Sequence, residues 1–396
     1  MTFEAIVAGN ICLDLIPSLP QRVGPFSFLP GTLTEVGPIT VALGGCVSNT
    51  GVALHRLGVQ TRLVGKVGED PLGRIVMDLL SDAVGELAEA LLVTPGEQTS
   101  YTVILSPQGE DRMFLHFPGA NDSFTEEDIP VRELTRARLF HFGYPPVMKN
   151  MYADGGNNLA GLLGKAKSAG LTTSLDMCYP DPSAPSGHAD WRRILQTALP
   201  VVDVFLPSLE ETCAMLEPEA ARQFAKDEPA VCSEVPVKQI SDLGEQLIAM
   251  GAAVVGIKAG HRGLYLRTAS EWRLRDAGRG MPENQLPWAD REMWSSPFAA
   301  TVVGTTGAGD ATVAGFLFGL LSNMTPEATI TAACAVGASC VEAPDASSGI
   351  KSWDATRERM DQGWRRRVVS LGAGWSESKE QGVWIGPQDA HKKPSP

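Results

Sequence analysis

The stretch TTGAGDATVAGFLFGLL, Thr305 to Leu321, sets Gly307, Ala308 and Gly309 directly before an acid, Asp310, at the head of a strongly apolar run. Two chemistries fit. In one, the glycines make a turn and Asp310 favours the positive end of a helix macrodipole. In the other, glycines on both sides of Ala308 let the backbone approach a ligand and leave N–H groups aimed at an anion. An acid beside an anion makes sense if it takes a proton while the anion moves. Two common phosphate loops are absent. Gly65-Lys66 and Gly164-Lys165 continue with Val67 and Ala166, so there is no G-x-x-x-x-G-K-[ST], and G-x-G-x-x-G fails at Thr312. The protein-kinase set of glycine loop, H-R-D and D-F-G is missing as well. Near the other end, LGGCVSNTGVALHRLG pairs Gly44-Gly45 with Asn49, and Asp14 and Asn10 lie just upstream. Carboxylates and amides of this kind read vicinal hydroxyls, although Asp14 alone reads equally as a turn acid and Asn49 as a helix cap.

Residues so far apart need a scaffold that brings them together. FEAIVAG reads as a buried strand, and two Pro- and Gly-punctuated β excursions follow, at about 11–43 and 97–122. SNTGVALHRLG reads as a helix opened by Ser48 or Asn49 and closed by Gly58, and Pro71 starts a second helix capped by Asp70. Strands ARLFHFG, LTTSLDM, VVDVFLP and AAVVGIKAG then alternate with helices NNLAGLLGKAKSAG, DWRRILQTALP, SLEETCAML and ISDLGEQLIAMG. That alternation predicts a parallel sheet covered on both faces. TPEATITAACAVGASCVEA adds a helix, SWDATRERMDQGWRRR another, and the remainder reads as a loosely held tail.

The chain has 396 residues, 43% hydrophobic, and a net charge of −13. That balance disfavours nucleic acid and anionic membranes as partners. Seven cysteines carry no C-x-x-C pair, as in a reduced protein. No signal peptide or membrane span is evident, so a cytoplasmic location is expected. The histidines, His55, His116 and His141 among them, have no metal-ligand spacing.

TTGAGD together with LGGCVSNTGVALHRLG resembles the PfkB carbohydrate kinase family, from Ile6 to about Gly349. The resemblance implies a ribokinase-like three-layer α/β/α fold with a mainly parallel sheet, a kinase domain over 1–351 with the two excursions as a β-sheet lid, and an extension over 352–396. It implies ATP with Mg2+, transfer to a hydroxyl of a small sugar or sugar derivative, and a possible homodimer through the lid. Gly307, Ala308 and Gly309 become the anion hole and Asp310 the general base. Asp14, Gly44, Gly45, Asn49, Asn10 and Asn121 fall on the substrate side, and Tyr144 could line the site. Ser208, Glu211, Lys258, Gly260 and Gly263 fall on the nucleotide side, with Glu211 at the metal through water. Two departures stand out. Ser208 replaces the usual Asn of N-x-x-E, and Gly304 replaces an Asp that serves a monovalent cation, so little dependence on potassium is expected. The segment 268–300, with Trp272, Trp288 and Trp294, is long enough to shape the nucleotide edge or a subunit contact. Phe26, Phe28 and Phe114 leave a nucleoside kinase open, and a catalytically silent sugar-binding protein is the reading from another class. Arg22, Arg112 and His116 are candidates to hold a substrate phosphate.

Overall fold

Alternation along the strands decides the layers. In the Ala5–Gly9 strand, Ala5 and Val7 join one apolar cluster while Ile6 and Ala8 join another, so the sheet is buried on both faces. The computed structural model describes residues 3–20, 30–31, 33–85, 91–107, 113–219, 235–379 and 382–391. Its large sheet has ten strands. In spatial order they are Ser376–Glu377, Val383–Ile385, Glu292–Ser295, Leu264–Thr268, Val254–Lys258, Val204–Phe205, Thr172–Asp176, Leu139–Gly143, Ala5–Gly9 and Thr61–Val64. From Val254–Lys258 to Thr61–Val64 every pairing is parallel, and the other end is antiparallel. One face carries helices Cys46–Arg56, Ala308–Leu321 and Pro326–Cys340, and the other carries Asn157–Ser168, Trp191–Ala198, Leu209–Leu216 and Val237–Ala249. The Ala308–Leu321 helix is apolar all round because it lies in the core.

A smaller four-stranded sheet orders Ile39–Gly44, Cys12–Pro17, Tyr101–Leu105 and Met113–Phe117. Its register sets Ala42, Asp14, Thr102 and His116 in one row. Arg22, Phe26, Phe28, Arg112 and Cys232 lie outside the described residues. The six described cysteines are free, and no described helix is long and apolar enough to cross a membrane.

Two expectations change, and a third, on 268–300, narrows to the last residues of that segment. The first helix begins at Cys46, with Gly45 as its cap at φ 87°, so Ser48 and Asn49 sit inside its first turn and cap nothing. As far as residue 391 the described tail is not loose, because Val383–Ile385 pairs with Glu292–Ser295 and extends the large sheet past residue 351. Buried Asp389 locks it by accepting from Arg291 Nε at 2.9 Å. Within 268–300, Trp288 and Trp294 are core residues, packed on Phe316 and on Tyr265 and Trp375, while Trp272 is exposed. None of the three lines the cavity at the carboxyl ends of the parallel strands, to which this segment contributes Pro297, Phe298 and Ala300.

Candidate active site

Open parallel sheets bind ligands beyond the carboxyl ends of their strands, and the polar residues gather there. Asn10, Tyr144, Asp176, Ser208 and Lys258 all stand at or just past such ends. Opposite them the Ala308–Leu321 helix begins. Gly307 caps it in the left-handed region at φ 73°, where a Cβ would stand 2.7 Å from Ala346 Cα, so the fold itself demands glycine. Gly309 differs. Its φ is ordinary, and a Cβ there would meet nothing nearer than Lys258 Nζ at 3.6 Å.

Asp310 is 2% exposed and accepts three hydrogen bonds. Tyr144 OH donates to Oδ2 at 2.8 Å, Asn49 Nδ2 to Oδ2 at 3.0 Å, and Thr50 Oγ1 to Oδ1 at 3.1 Å. Tyr144 reaches it from a left-handed backbone, φ 68°, that a bulky side chain seldom adopts. Burial raises the Asp310 pKa, and Tyr144, the Lys258 charge, Asn49 and Thr50 hold that rise in check. Two carboxylate oxygens offer about four acceptor directions, so three donors leave room on Oδ1 for one more.

On one side of Asp310 lies the glycine pair. A Cβ at Gly44 would stand 2.6 Å from Asp14 Cγ, and one at Gly45 2.6 Å from the Asn10 carbonyl oxygen. The pair thus lets two buried polar side chains press against bare backbone. Asn10 Nδ2 is buried without a hydrogen-bond partner, an arrangement that favours a ligand acceptor. Asn121 is a correction. Its amide accepts from Ile11 N at 3.3 Å and donates to Ile11 O at 2.9 Å, so both ends fasten the backbone. His116 shares a hydrogen bond with Thr102 Oγ1 at 3.0 Å on the exposed outer strand of the smaller sheet.

On the other side opens a cavity of about 460 Å³. Ser208, Glu211, Lys258, Gly260, Gly263, Gly307, Ala308, Gly309 and Asp310 line it, with an apolar wall that includes Phe298, Val302, Ala338 and Val341. Ser208 and Glu211 form a capping box: Glu211 Oε2 accepts from Ser208 N at 2.6 Å and Ser208 Oγ from Glu211 N at 3.1 Å. Loss of water raises the Glu211 pKa, and Lys258 opposes the rise. Lys258 Nζ lies 2.6 Å from Asp176 Oδ1. Burial pushes the Asp176 pKa up against the Lys258 charge. For Lys258 itself, burial would lower the pKa, but Asp176 and Glu211 outweigh it. Among the described residues no group of three or more His, Cys, Asp or Glu is placed to hold a metal unaided.

Thr50 and Asp176 were not singled out from the sequence. An acid closing the buried strand LTTSLD carried a signal for Asp176, whereas Thr50 sits unmarked within a helix.

Residues 4–353 match the family described as pfkB family carbohydrate kinase. A sugar kinase of Archaeoglobus fulgidus is 29% identical over 303 residues, 76% of this chain and 98% of its own. Fructokinase-2 of Oryza sativa subsp. japonica is 31% identical over 183 residues, 46% of this chain and 51% of its own. Among solved structures, Arabidopsis thaliana ribokinase complexed with ribose and ATP superposes with a TM-score of 0.66 at 18% identity, over 90% of this chain and 98% of that one. Fructokinase with bound ATP from Xylella fastidiosa gives 0.64 at 20% identity over the same shares, 90% and 98%. At these identities the superpositions establish the ribokinase-like fold.

Proposed function

The chain belongs to the pfkB family of carbohydrate kinases, and from that premise we propose that it transfers the γ-phosphoryl group of ATP to a hydroxyl of a small sugar or sugar derivative, with Asp310 as the base. One observation carries the reading. Asp310, held by three donors, lines the cavity beside the Gly307–Gly309 turn and is tied to Asn49 and Thr50 of the helix that follows the Gly44-Gly45 pair.

In this reading the apolar wall takes the adenine, and Lys258, Gly260, Gly263 and Ser208 take the phosphate side. The N–H groups of Gly307, Ala308 and Gly309 face the charge that develops on the moving phosphoryl group. Phosphoryl transfer asks mainly for positioning and charge stabilisation. Glu211 suits a water-mediated hold on magnesium, which keeps several waters and binds through few carboxylates plus the phosphates. Bound there, magnesium would neutralise phosphate charge. The acceptor hydroxyl approaches Oδ1, held by Asp14, Asn10 and the glycine pair, and yields its proton to Asp310. Asn49 contributes by fixing Asp310. The smaller sheet of Cys12–Pro17, Ile39–Gly44, Tyr101–Leu105 and Met113–Phe117 acts as the lid that keeps water from ATP.

The test is ADP release, coupled to a visible readout, across a panel of hexoses, pentoses, sugar acids, sugar phosphates and nucleosides. A sugar or sugar acid giving saturable, Asp310-dependent turnover is the expected result. Turnover confined to nucleosides, or none with any acceptor, would overturn the assignment.

A further inference from the structure

The proposed chemistry leaves unexplained one carboxylate that lines the cavity, Asp176. Asp176 ends the Thr172–Asp176 strand with its side chain 1% exposed. Its Oδ1 accepts from Met177 N at 2.8 Å and from Lys258 Nζ at 2.6 Å. Lys258 ends the parallel strand Val254–Lys258, and its side chain is 11% exposed. The two strands are not neighbours, since Val204–Phe205 runs between them. The pair therefore spans the strand between, and both residues line the cavity. Buried ion pairs often only break even against apolar packing, so stability alone is a weak reason for this one. Its position is more telling. A Cβ on Gly309 would stand 3.6 Å from Nζ, which sets the ammonium over the first turn of the Ala308–Leu321 helix. An ammonium has three donors. One goes to Asp176, which leaves two for a ligand in the cavity that Lys258 and Gly309 both line.

We propose that Lys258 bridges the transferred phosphoryl group by donating to its oxygens, and that Asp176 is the positioning residue that holds the ammonium over Gly309. The inference rests on the kinase reading of this site. In the step, the acceptor oxygen bonds to the γ-phosphorus. The bond from that phosphorus to the β,γ-bridging oxygen breaks, its electron pair leaves with ADP, and the hydroxyl proton passes to Asp310. Lys258 forms no covalent bond. Its charge offsets the negative charge that shifts toward the leaving oxygen.

Calorimetric titration of wild type, Lys258→Ala and Lys258→Met with ADP and with AMP-PNP, both with magnesium, tests the bridge. A lost charge-assisted hydrogen bond predicts roughly tenfold or greater weakening for AMP-PNP, with ADP nearly unchanged. Equal weakening of both nucleotides, or of neither, would overturn the bridge. Failure of the wild type to bind either nucleotide would instead overturn the kinase reading. For turnover, methylammonium should restore part of the rate of Lys258→Ala, while tetramethylammonium, with the same charge and no N–H, should not. Asp176→Asn should lower kcat with little change in the KM for the acceptor, and should cost nothing further in the Lys258→Ala background. A second full loss in the double variant would show that Asp176 acts on something other than Lys258.

Discussion

Replacing Asp310 by Asn separates the chemistry of the site from its packing. The amide has the shape of the carboxylate, and its hydrogen bonds can be counted. With its oxygen where Oδ2 stands, it still accepts from Tyr144 and Asn49. Its NH2 then faces Thr50 Oγ1, now the donor to Oδ1, and a hydroxyl can turn and accept. The number of bonds is kept. One buried charge disappears, which relieves desolvation while losing attraction to Lys258. The unfolding free energy should therefore move by no more than about 1 kcal/mol. Turnover should fall far more, because an amide cannot take the acceptor's proton. General-base loss costs roughly 10²–10⁴-fold, or about 3–5 kcal/mol of barrier. ADP release at saturating substrate measures the second quantity, and urea unfolding together with ATP titration measures the first. A folded Asp310→Asn variant turning over within a few-fold of wild type would refute the assignment of the base. A variant that loses rate and stability in parallel would refute the claim that the side chain is spent on chemistry rather than packing.

Other perturbations follow the same geometry. Tyr144→Phe removes a donor that favours the ionised Asp310, so the base pKa rises and the acidic limb of kcat/KM moves up by about one pH unit; an unmoved limb counts against the bond. Gly309→Ala meets no steric bar and lies in a helix, so it should stabilise by about 0.5–1 kcal/mol while lowering turnover, and an unimpaired rate would return the glycine to a purely structural role. Asp389→Asn weakens a buried ion pair, with Glu327 still on Arg291 at 2.8 Å, so a loss of about 3 kcal/mol in urea unfolding is expected with kcat unchanged. Initial rates should be equal in potassium and tetramethylammonium chloride, since Gly304 offers no side-chain oxygen. Gly304→Asp is a poor way to build a cation site, because its Cβ would stand 2.9 and 3.0 Å from the Ala343 and Pro344 carbonyl oxygens.

Patterns carried by neighbouring residues were legible in the chain. The sheet could be read because each buried strand is a short apolar run and each covering helix has its own start and stop signals. Asp70 caps its helix, accepting from Gly73 N at 2.8 Å, as Asp-Pro predicts. The glycine turn before Asp310 was visible for the same reason, since a left-handed cap is a local event. Misreadings began where a residue has two uses and only distant neighbours choose between them. Asn49 looks like a cap or a sugar ligand until Asp310, 261 residues away, claims its amide. Asn121 looks like a pocket residue until the backbone of Ile11 takes both of its ends. Asp176 and Lys258 each end an unremarkable strand, and only the parallel order of the sheet sets them 2.6 Å apart. The tail looked loose because Val383–Ile385 is three residues long, too short to show a period, and is a strand only because Glu292–Ser295 offers it an edge. Local propensity acts over a few residues and is written in order along the chain. Which buried carboxylate meets which donor is settled by long-range packing, and chain order does not encode it.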